Sequence, residues 1–378
     1  MEDSVLPIGT LLYSMYASLG KVAILRVPAT TNQAILGIVE APEKIVALFL
    51  RWWLIYMEQH ITQLASSNTQ DNLNAFKVAN IIVLRPPLPE QAAIAAFLDR
   101  ETAKIAALIA KQERMIALLG EKRQALIAHA VTKGLRADAP MKDSGVAWLG
   151  EIPAHWETKR LKQVSPAQVV GIVVNPSLYV SDEGQPFLYG SDIREGKINW
   201  QTARRISAEG NALNSKSMLR SGDLVTVRVG YPGVTAVIPE ELDGANCASI
   251  MVVRRSHDFN SHWLCYVMNS QPVRTQVEIV QYGAAQEQFN ISHAVNFLIP
   301  TPPRDEQEEL VAYLDAELAK IDTLIAKAQQ AIALMREHRT SLIAAAVTGK
   351  IDVRGEVVGA GTASGAEVGD ERLAGVAR

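Results

Sequence analysis

Pro86-Pro87-Leu88-Pro89-Glu90-Gln91 returns 216 residues later as Pro302-Pro303-Arg304-Asp305-Glu306-Gln307. The agreement runs without a gap to Ala130-Val131-Thr132 and Ala346-Val347-Thr348. Of the 47 positions from Pro86 to Thr132, 26 are identical in the two copies, too many for chance. In each copy the paired prolines exclude helix before them, and the acidic turn that follows suits a helix N-terminus. About forty residues then pass with no glycine or proline except Gly120 and the early Pro89. Apolar residues recur at three- and four-residue steps: Ile94, Leu98, Ile105, Leu108, Leu119 and Leu126 in the first copy, and Leu310, Leu314, Ile321, Leu324, Met335 and Leu342 in the second. That pattern is one apolar stripe on a long helix. At 1.5 Å per residue such a helix is a rod of about 60 Å. A rod that long cannot bury its stripe against its own turn of chain. The two copies are therefore expected to pack on each other as an antiparallel coiled coil, the alternative being that each lies on its own domain.

The repeat continues upstream, more weakly. Asn74 aligns with Asn290, and Ile81-Ile82-Val83-Leu84, read as a strand, aligns with Phe297-Leu298-Ile299. Gly9 and Gly20 echo Gly222 and Gly233 at an offset of 213, while Asn32 and Ala34 echo Asn246 and Ala248 at 214. Residues 1–85 thus correspond to the second half of the region 143–301. The expected order is a partial globular domain (1–85), a long helix (86–135), a linker (136–145), a globular domain (146–301), a second long helix (302–350) and a tail (351–378). The fold class is α/β, or α+β, with globular domains joined by two long helices. The tail is rich in Gly, Ala and Ser and is expected to be disordered. The counterpart of the start near Asp143 falls about 73 residues before Met1. The first domain is therefore expected to lack its N-terminal half, through truncation, a late start codon or completion by another chain.

Composition narrows the function classes. A length of 378 residues predicts two or three domains at roughly 100–200 residues each. Hydrophobic residues at 48% and charged residues at 20% leave ample material for a core. Lys+Arg 37 against Asp+Glu 40 gives a net charge of −3, which excludes a uniformly basic DNA-coating protein but not a local basic face. Two cysteines, Cys247 and Cys265, exclude a disulfide framework and a Cys-rich zinc site, and a reducing, cytoplasmic location is expected. Met1-Glu2-Asp3 is acidic where a secretory signal is basic. The apolar stretch 45–57 is interrupted by Arg51 and falls short of the ~20 residues of a membrane span, so it is expected to be a buried helix.

A second signature precedes the complete globular domain: Trp148-Leu149-Gly150-Glu151-Ile152-Pro153-Ala154-His155-Trp156-Glu157-Thr158-Lys159-Arg160-Leu161. Together with the two helix repeats it resembles the specificity subunit of type I restriction–modification systems, over nearly the whole chain. The resemblance implies two target-recognition domains, each reading one half of a split sequence in double-stranded DNA. It implies that the helices act as a spacer that sets the gap and docks two methyltransferase subunits, with a motor-nuclease subunit joining for cleavage. It also implies a non-catalytic chain without a cofactor of its own, S-adenosylmethionine, ATP and Mg belonging to the partner subunits. Physics points the same way, since two readers on a fixed rod match half-sites about one DNA turn, roughly 34 Å, apart.

The region 146–300 carries 13 Lys+Arg and 14 Asp+Glu and is not basic as a whole. Between Arg194 and Arg228 the balance changes: Arg194, Lys197, Arg204, Arg205, Lys216, Arg220 and Arg228 face only Glu195, Glu209 and Asp223. Such a cluster suits phosphate neutralisation and a bidentate Arg–guanine contact, and the plainer reading is a solvated face. Gly230-Tyr231-Pro232-Gly233 joins two strand-like runs, which puts Tyr231 at a tip. Gln281, Gln286 and Gln288 follow a helix expected over 261–280, and glutamine can bond adenine through both amide groups. In the first domain the equivalent loop is Ser66-Ser67-Asn68-Thr69-Gln70, with Asn68 as the candidate, and Tyr13, Tyr16 and Lys21 lie near the equivalent turn.

Three groups imitate catalytic sites. Asn175-Pro176-Ser177-Leu178-Tyr179 is similar to the Asn-Pro-Pro-Tyr of adenine methyltransferases, without the Gly-rich turn that holds a methyl donor. Asp182, Glu195 and Lys197 have the residue types of a metal-dependent nuclease in a turn-like segment. His257 and His262 lie close to Cys265 but make a weak ligand set. No phosphate-binding loop is present. A self-contained DNA enzyme built on these residues would cleave or methylate DNA unaided, and a coiled-coil protein with no DNA role would show no salt-dependent DNA binding.

Overall fold

The duplicated segments fold as two long helices, Leu88–Lys133 and Arg304–Val347. The structure, a computed structural model, describes residues 5–16, 18–61, 73–281 and 290–357. Each helix stops at a glycine in the left-handed region, Gly134 and Gly349, both at φ +71°. There the N–H of Gly134 returns to the Ala130 carbonyl and that of Gly349 to the Ala346 carbonyl. The chain divides into two compact units, residues 1–114 with 327–378, and residues 115–326. Each unit contains a length of both helices.

Within each unit the helices run antiparallel and share a core. In the first, Ile94, Ala95, Phe97 and Leu98 are buried with Ile343, Ala346 and Val347, while Glu113 meets Arg336 at 3.3 Å. In the second, Ile127, Ala130 and Val131 are buried with Leu310, Leu314, Leu318 and Ile321, with Leu119, Leu126 and Ile325 packed against them, and Arg123 pairs with Asp322. The expected stripe holds at Ile94, Leu98, Ile105, Leu310, Leu314 and Ile321, all buried, and at Leu119, Leu126, Met335 and Leu342, half-buried. It fails at Leu108 and Leu324, which are 49% and 47% exposed. From Ile105 and Ile321 the seam takes a four-residue step to Ile109 and Ile325, both half-buried. Alternating three- and four-residue steps average 3.5, and choosing three at that point turns the side chain out of the seam.

In the first unit, strands β1 (Leu11–Ser14), β2 (Val22–Ile24) and β3 (Ile35–Ile38) form an antiparallel sheet of order β2-β1-β3. Behind it lies the helix Ala47–Met57, with Phe49, Trp52 and Trp53 buried, as expected for the stretch 45–57. Among the described residues no helix is long and apolar enough to cross a membrane.

The second unit holds more sheet. Strands β4 (Met141–Asp143) and β5 (Glu151–Pro153) form a hairpin before β6 (Glu157–Arg160) and β7 (Gln168–Val170). One sheet has order β15-β9-β12-β8, from β8 (Val180–Ser181), β9 (Gln185–Leu188), β12 (Arg204–Ile206) and β15 (Asn246–Cys247). A small hairpin joins β10 (Ile193–Arg194) and β11 (Lys197–Ile198). The second large sheet has order β14-β13-β16-β7, with β13 (Leu224–Thr226), β14 (Thr235–Val237) and β16 (Met251–Val253). Strand β17 (Leu298–Thr301) pairs with β6.

The weak upstream repeat is structural. Leu11↔Ile24 and Leu11↔Ile38 in the first unit match Leu224↔Val237 and Leu224↔Val253 in the second, so β1, β2 and β3 are the counterparts of β13, β14 and β16. The echoing glycines Gly9, Gly20, Gly222 and Gly233 all take positive φ, which explains why glycine recurs there.

Three expectations fail. Residues 81–84 are extended but pair with no described strand, since among the described residues nothing stands beside them as β6 stands beside β17. The helix expected over 261–280 is two, Ser261–Asn269 and Gln271–Gln281, broken at Ser270 (ψ 153°), since Pro272 opens the second. Of the tail, Val353 is buried and Arg354–Val357 form a turn, so the disorder expected from 351 does not begin there, and 358–378 lie outside the described residues.

Candidate nucleic-acid interface

Each globular part is fastened to the long helices by the same side chains. Gln307 is 1% exposed, and its Oε1 accepts the backbone N–H of Asn260 at 2.8 Å while its Nε2 donates to the Pro302 carbonyl at 3.0 Å. Asn260 is the N-cap of the helix Ser261–Asn269. Gln91 is fully buried and does the same for Val46, the N-cap of Ala47–Met57, and for the Pro86 carbonyl, both at 2.8 Å. Two turns further on, Asp315 accepts the Tyr266 hydroxyl, and Asp99 accepts the Trp52 indole N–H at 3.0 Å and pairs with Arg51. The duplicated motif is therefore a joint. The second unit adds Trp156 and His155, which reach Glu306 at 3.0 and 2.7 Å.

The basic candidates spread over several elements of the second unit. Arg204 and Arg205 sit side by side on β12, both exposed; Arg204 lies over the Tyr189 ring at 5.2 Å, and Arg205 donates to the Gly184 carbonyl at 2.8 Å. Lys216 and Arg220 are exposed near Asp223, whose carboxylate caps the Arg220 N–H at 3.0 Å. Arg194 is exposed, its guanidinium held by the Ser191 and Ile193 carbonyls. Arg228 is half-buried, 3.3 Å from Asn290, and burial lowers its pKa. Tyr231 stands 78% exposed at the tip of the β13–β14 hairpin, as its turn predicted.

Lys197 is exposed and also reaches a long helix. Its ammonium lies 3.5 Å from Asp322 on the second long helix, and Asp322 also pairs with Arg123 on the first. Across the same turn, Glu195 pairs with Arg274 and accepts from Gln124 at 3.3 Å. These charges fasten the β10–β11 hairpin to the rods. In the first unit Lys21 is bonded to Glu58 at 2.6 Å, and Tyr13, fully buried in β1, offers no surface; burial, then the charge of Glu58, pushes its phenol up to about 12. Asn68, Gln286 and Gln288 lie outside the described residues.

Other residues of the surface escaped sequence reading. Arg254 forms a nearly buried pair with Asp223 at 2.5 Å, and Arg255 stands exposed beside it. The doubled arginine after an apolar strand was the available signal. Val174 and Leu178 are 76% and 75% exposed around Asn175, whose φ of 44° holds the loop in a conformation rare outside glycine. Such protruding aliphatic groups can contact thymine methyls.

The catalytic look-alikes have structural neighbours. Glu195 and Lys197 are spent on the ion pairs above. Tyr179 packs against Gly210, where a Cβ would meet its ring at 2.9 Å. Cys265 is buried against the Thr235 carbonyl, its thiol pushed up to about 12 by burial, while His257 is fully exposed.

The sequence pattern of the type I restriction modification DNA specificity domain matches residues 2–116. Over 332 residues the chain is 24% identical to the Type I restriction enzyme EcoBI specificity subunit of Escherichia coli, covering 86% of this chain and 70% of that protein. Over 282 residues it is 25% identical to the Type I restriction enzyme MjaVIII specificity subunit of Methanocaldococcus jannaschii, covering 73% of this chain and 63% of that one. The chain thus spans about two thirds of the length of these relatives. Among solved structures, a chain from work on complex assembly and conformational transition of the type I R-M system superposes with a TM-score of 0.67 at 19% identity, over 92% of this chain and 84% of that one. The HsdS subunit from Thermoanaerobacter tengcongensis gives 0.54 at 19% identity, over 92% and 82%. At such identities the superpositions establish the fold, mixed helix and strand with two long packed helices.

Proposed function

We propose that the chain, whose residues 2–116 match the sequence pattern of the type I restriction modification DNA specificity domain, is the sequence-recognition subunit of a type I restriction–modification complex. One recognition surface in each unit reads one half of a bipartite site in double-stranded DNA. The paired helices dock methyltransferase subunits, and a motor-nuclease subunit joins them. S-adenosylmethionine, ATP and Mg then serve the partners, where the target adenine is flipped and modified. The carrying observation is the duplicated joint, Gln91 with Val46 and Gln307 with Asn260. Two globular parts fastened identically to paired helices suit a reader of two half-sites.

In the second unit Arg204, Arg205, Lys216, Arg220 and Arg255 supply phosphate and base contacts, with Tyr231 and the Val174–Leu178 loop as the uncharged elements. The test is DNA binding by the chain with its methyltransferase subunits, as a function of salt. Affinity for one split sequence, falling linearly on a log–log salt plot, is the expected result. Cleavage or methyl transfer by the isolated chain with DNA, Mg²⁺ and S-adenosylmethionine would overturn the reading.

A further inference from the structure

In the second unit the globular part is bonded to the long helices at two places. The first is the joint, whose polar contacts on the second helix, Glu306, Gln307 and Asp315, lie close to its start. The second is a single turn. Glu195 and Gly196 connect β10 to β11, with Arg194 opposite Lys197. Gly196, at φ +66°, donates its N–H to the Thr235 carbonyl of β14 at 2.9 Å, which ties the turn to the second large sheet. From the turn, charged side chains reach both helices. Lys197 lies 3.5 Å from Asp322 on the second, and Glu195 accepts from Gln124 on the first at 3.3 Å. Arg123 of the first helix holds Asp322 as well, and Glu195 also pairs with Arg274 of the helix Gln271–Gln281.

Asp322 stands about 22 Å along the helix from Gln307. A cavity of about 250 Å³, lined by Ile127, Cys265, Tyr266 and Leu318 among others, lies between the turn and the helices. The hairpin is therefore held by the tips of polar side chains rather than by flush apolar packing. The duplication separates this contact from the joint. Gln307 and Asp315 return in the first copy as Gln91 and Asp99, and Arg123 returns in the second as Arg339, but the position of Asp322 is Ala106 and that of Gln124 is Thr340. At its other end the hairpin leads to the basic surface. Asn199 donates its N–H to the Asp192 carbonyl at 2.8 Å, the Asp192 carboxylate accepts the Tyr189 N–H at 2.8 Å, and Arg204 lies over the Tyr189 ring at 5.2 Å.

We propose that this turn fixes the angle between the second recognition surface and the paired helices, with Glu195, Lys197, Gln124 and Asp322 as positioning residues, and thereby sets how strictly the gap between two DNA half-sites is measured. Each polar pair is partly exposed and worth little alone. Together they make directional contacts to both helices at a distance from the joint, and so restrict a rotation that non-directional apolar contact restricts less. The consequence for DNA rests on the function proposed above, whereas the angle does not.

The experiment therefore has two arms. In the first, the full chain carries spin labels at Tyr231→Cys and Glu121→Cys, both exposed, while the native cysteines are buried. Pulsed electron resonance should give one narrow distance, broadened or displaced when Glu195→Gln and Asp322→Asn are added and retained with Lys197→Arg. In the second, the unlabelled chain with its methyltransferase subunits is titrated with DNA whose half-sites stand one base pair closer or further apart. The paired substitutions should lower the preference for the cognate gap about fivefold while weakening binding at that gap by less. An unchanged label distance in a folded variant overturns the proposal. So does equal weakening at every gap, which marks a DNA contact or lost stability. If the unsubstituted chain selects no split sequence, the recognition function falls and the gap consequence with it, and the label distance alone decides the angle.

Discussion

Gln91 and Gln307, 216 residues apart, are buried at the same point of two joints, each accepting the backbone N–H of a helix N-cap and donating to the carbonyl of the first proline of its own motif. Neither side chain touches solvent appreciably. A buried amide that links two backbone groups acts as a rivet, because removing it leaves those groups unpaired and dry.

Gln307→Ala should therefore destabilise the protein by about 1–3 kcal/mol, and Gln91→Ala by a similar amount. The two substitutions share no described partner, so the double variant should sum to within about 0.5 kcal/mol. Urea unfolding measures both, and a loss under about 0.5 kcal/mol would remove the glutamines from the joint.

The seam makes a positional prediction. Leu314→Ala, at a fully buried site, should cost about 2–5 kcal/mol, and Leu324→Ala, at a site 47% exposed, under about 1 kcal/mol. Thermal unfolding of the two variants separates the observed seam from one running through Leu324.

Asp322 gives the second unit an acid-sensitive contact. Burial opposes its ionisation, but the hydrogen bond and charge of Arg123, with Lys197 adding to them, outweigh it and hold the carboxyl below its ordinary 3.8. A depressed folded value means the contribution is present above 3.8 and lost as the pH falls through the lower, folded value. Asp322→Asn should flatten that part of the stability–pH curve, and an unchanged acid limb would contradict it.

Lys197 and Arg205 should part company in DNA binding. Arg205→Ala should weaken binding at one half-site only and reduce the magnitude of the salt slope by about one. Lys197→Ala, which breaks a contact to the helices, should leave the slope unchanged and lower stability instead. Equal changes in slope would place Lys197 on the DNA.

Much of this architecture was legible because duplication is a comparison the chain makes with itself. Pro86 to Thr132 against Pro302 to Thr348 was enough to establish two rods and their antiparallel pairing. Repeated glycines at 9, 20, 222 and 233 marked turns that a positive φ confines to glycine. Charge counting between Arg194 and Arg228 was less informative. A count cannot show that the exposed Lys197 sets its ammonium beside Asp322, on a helix 125 residues away in the chain, while Arg205 donates to the Gly184 carbonyl.

The amino-acid sequence alone determined the two amphipathic helices and their mutual packing, since a hydrophobic period is a local property that needs only one complementary surface. Tertiary structure decided the rest. Whether Ile81 to Arg85 becomes a strand depends on a neighbour to pair with, and whether Leu108 or Ile109 enters the seam depends on a register set along the whole helix. A strand's hydrogen bonds, and a charge's partner, belong to residues that sequence proximity does not bring together.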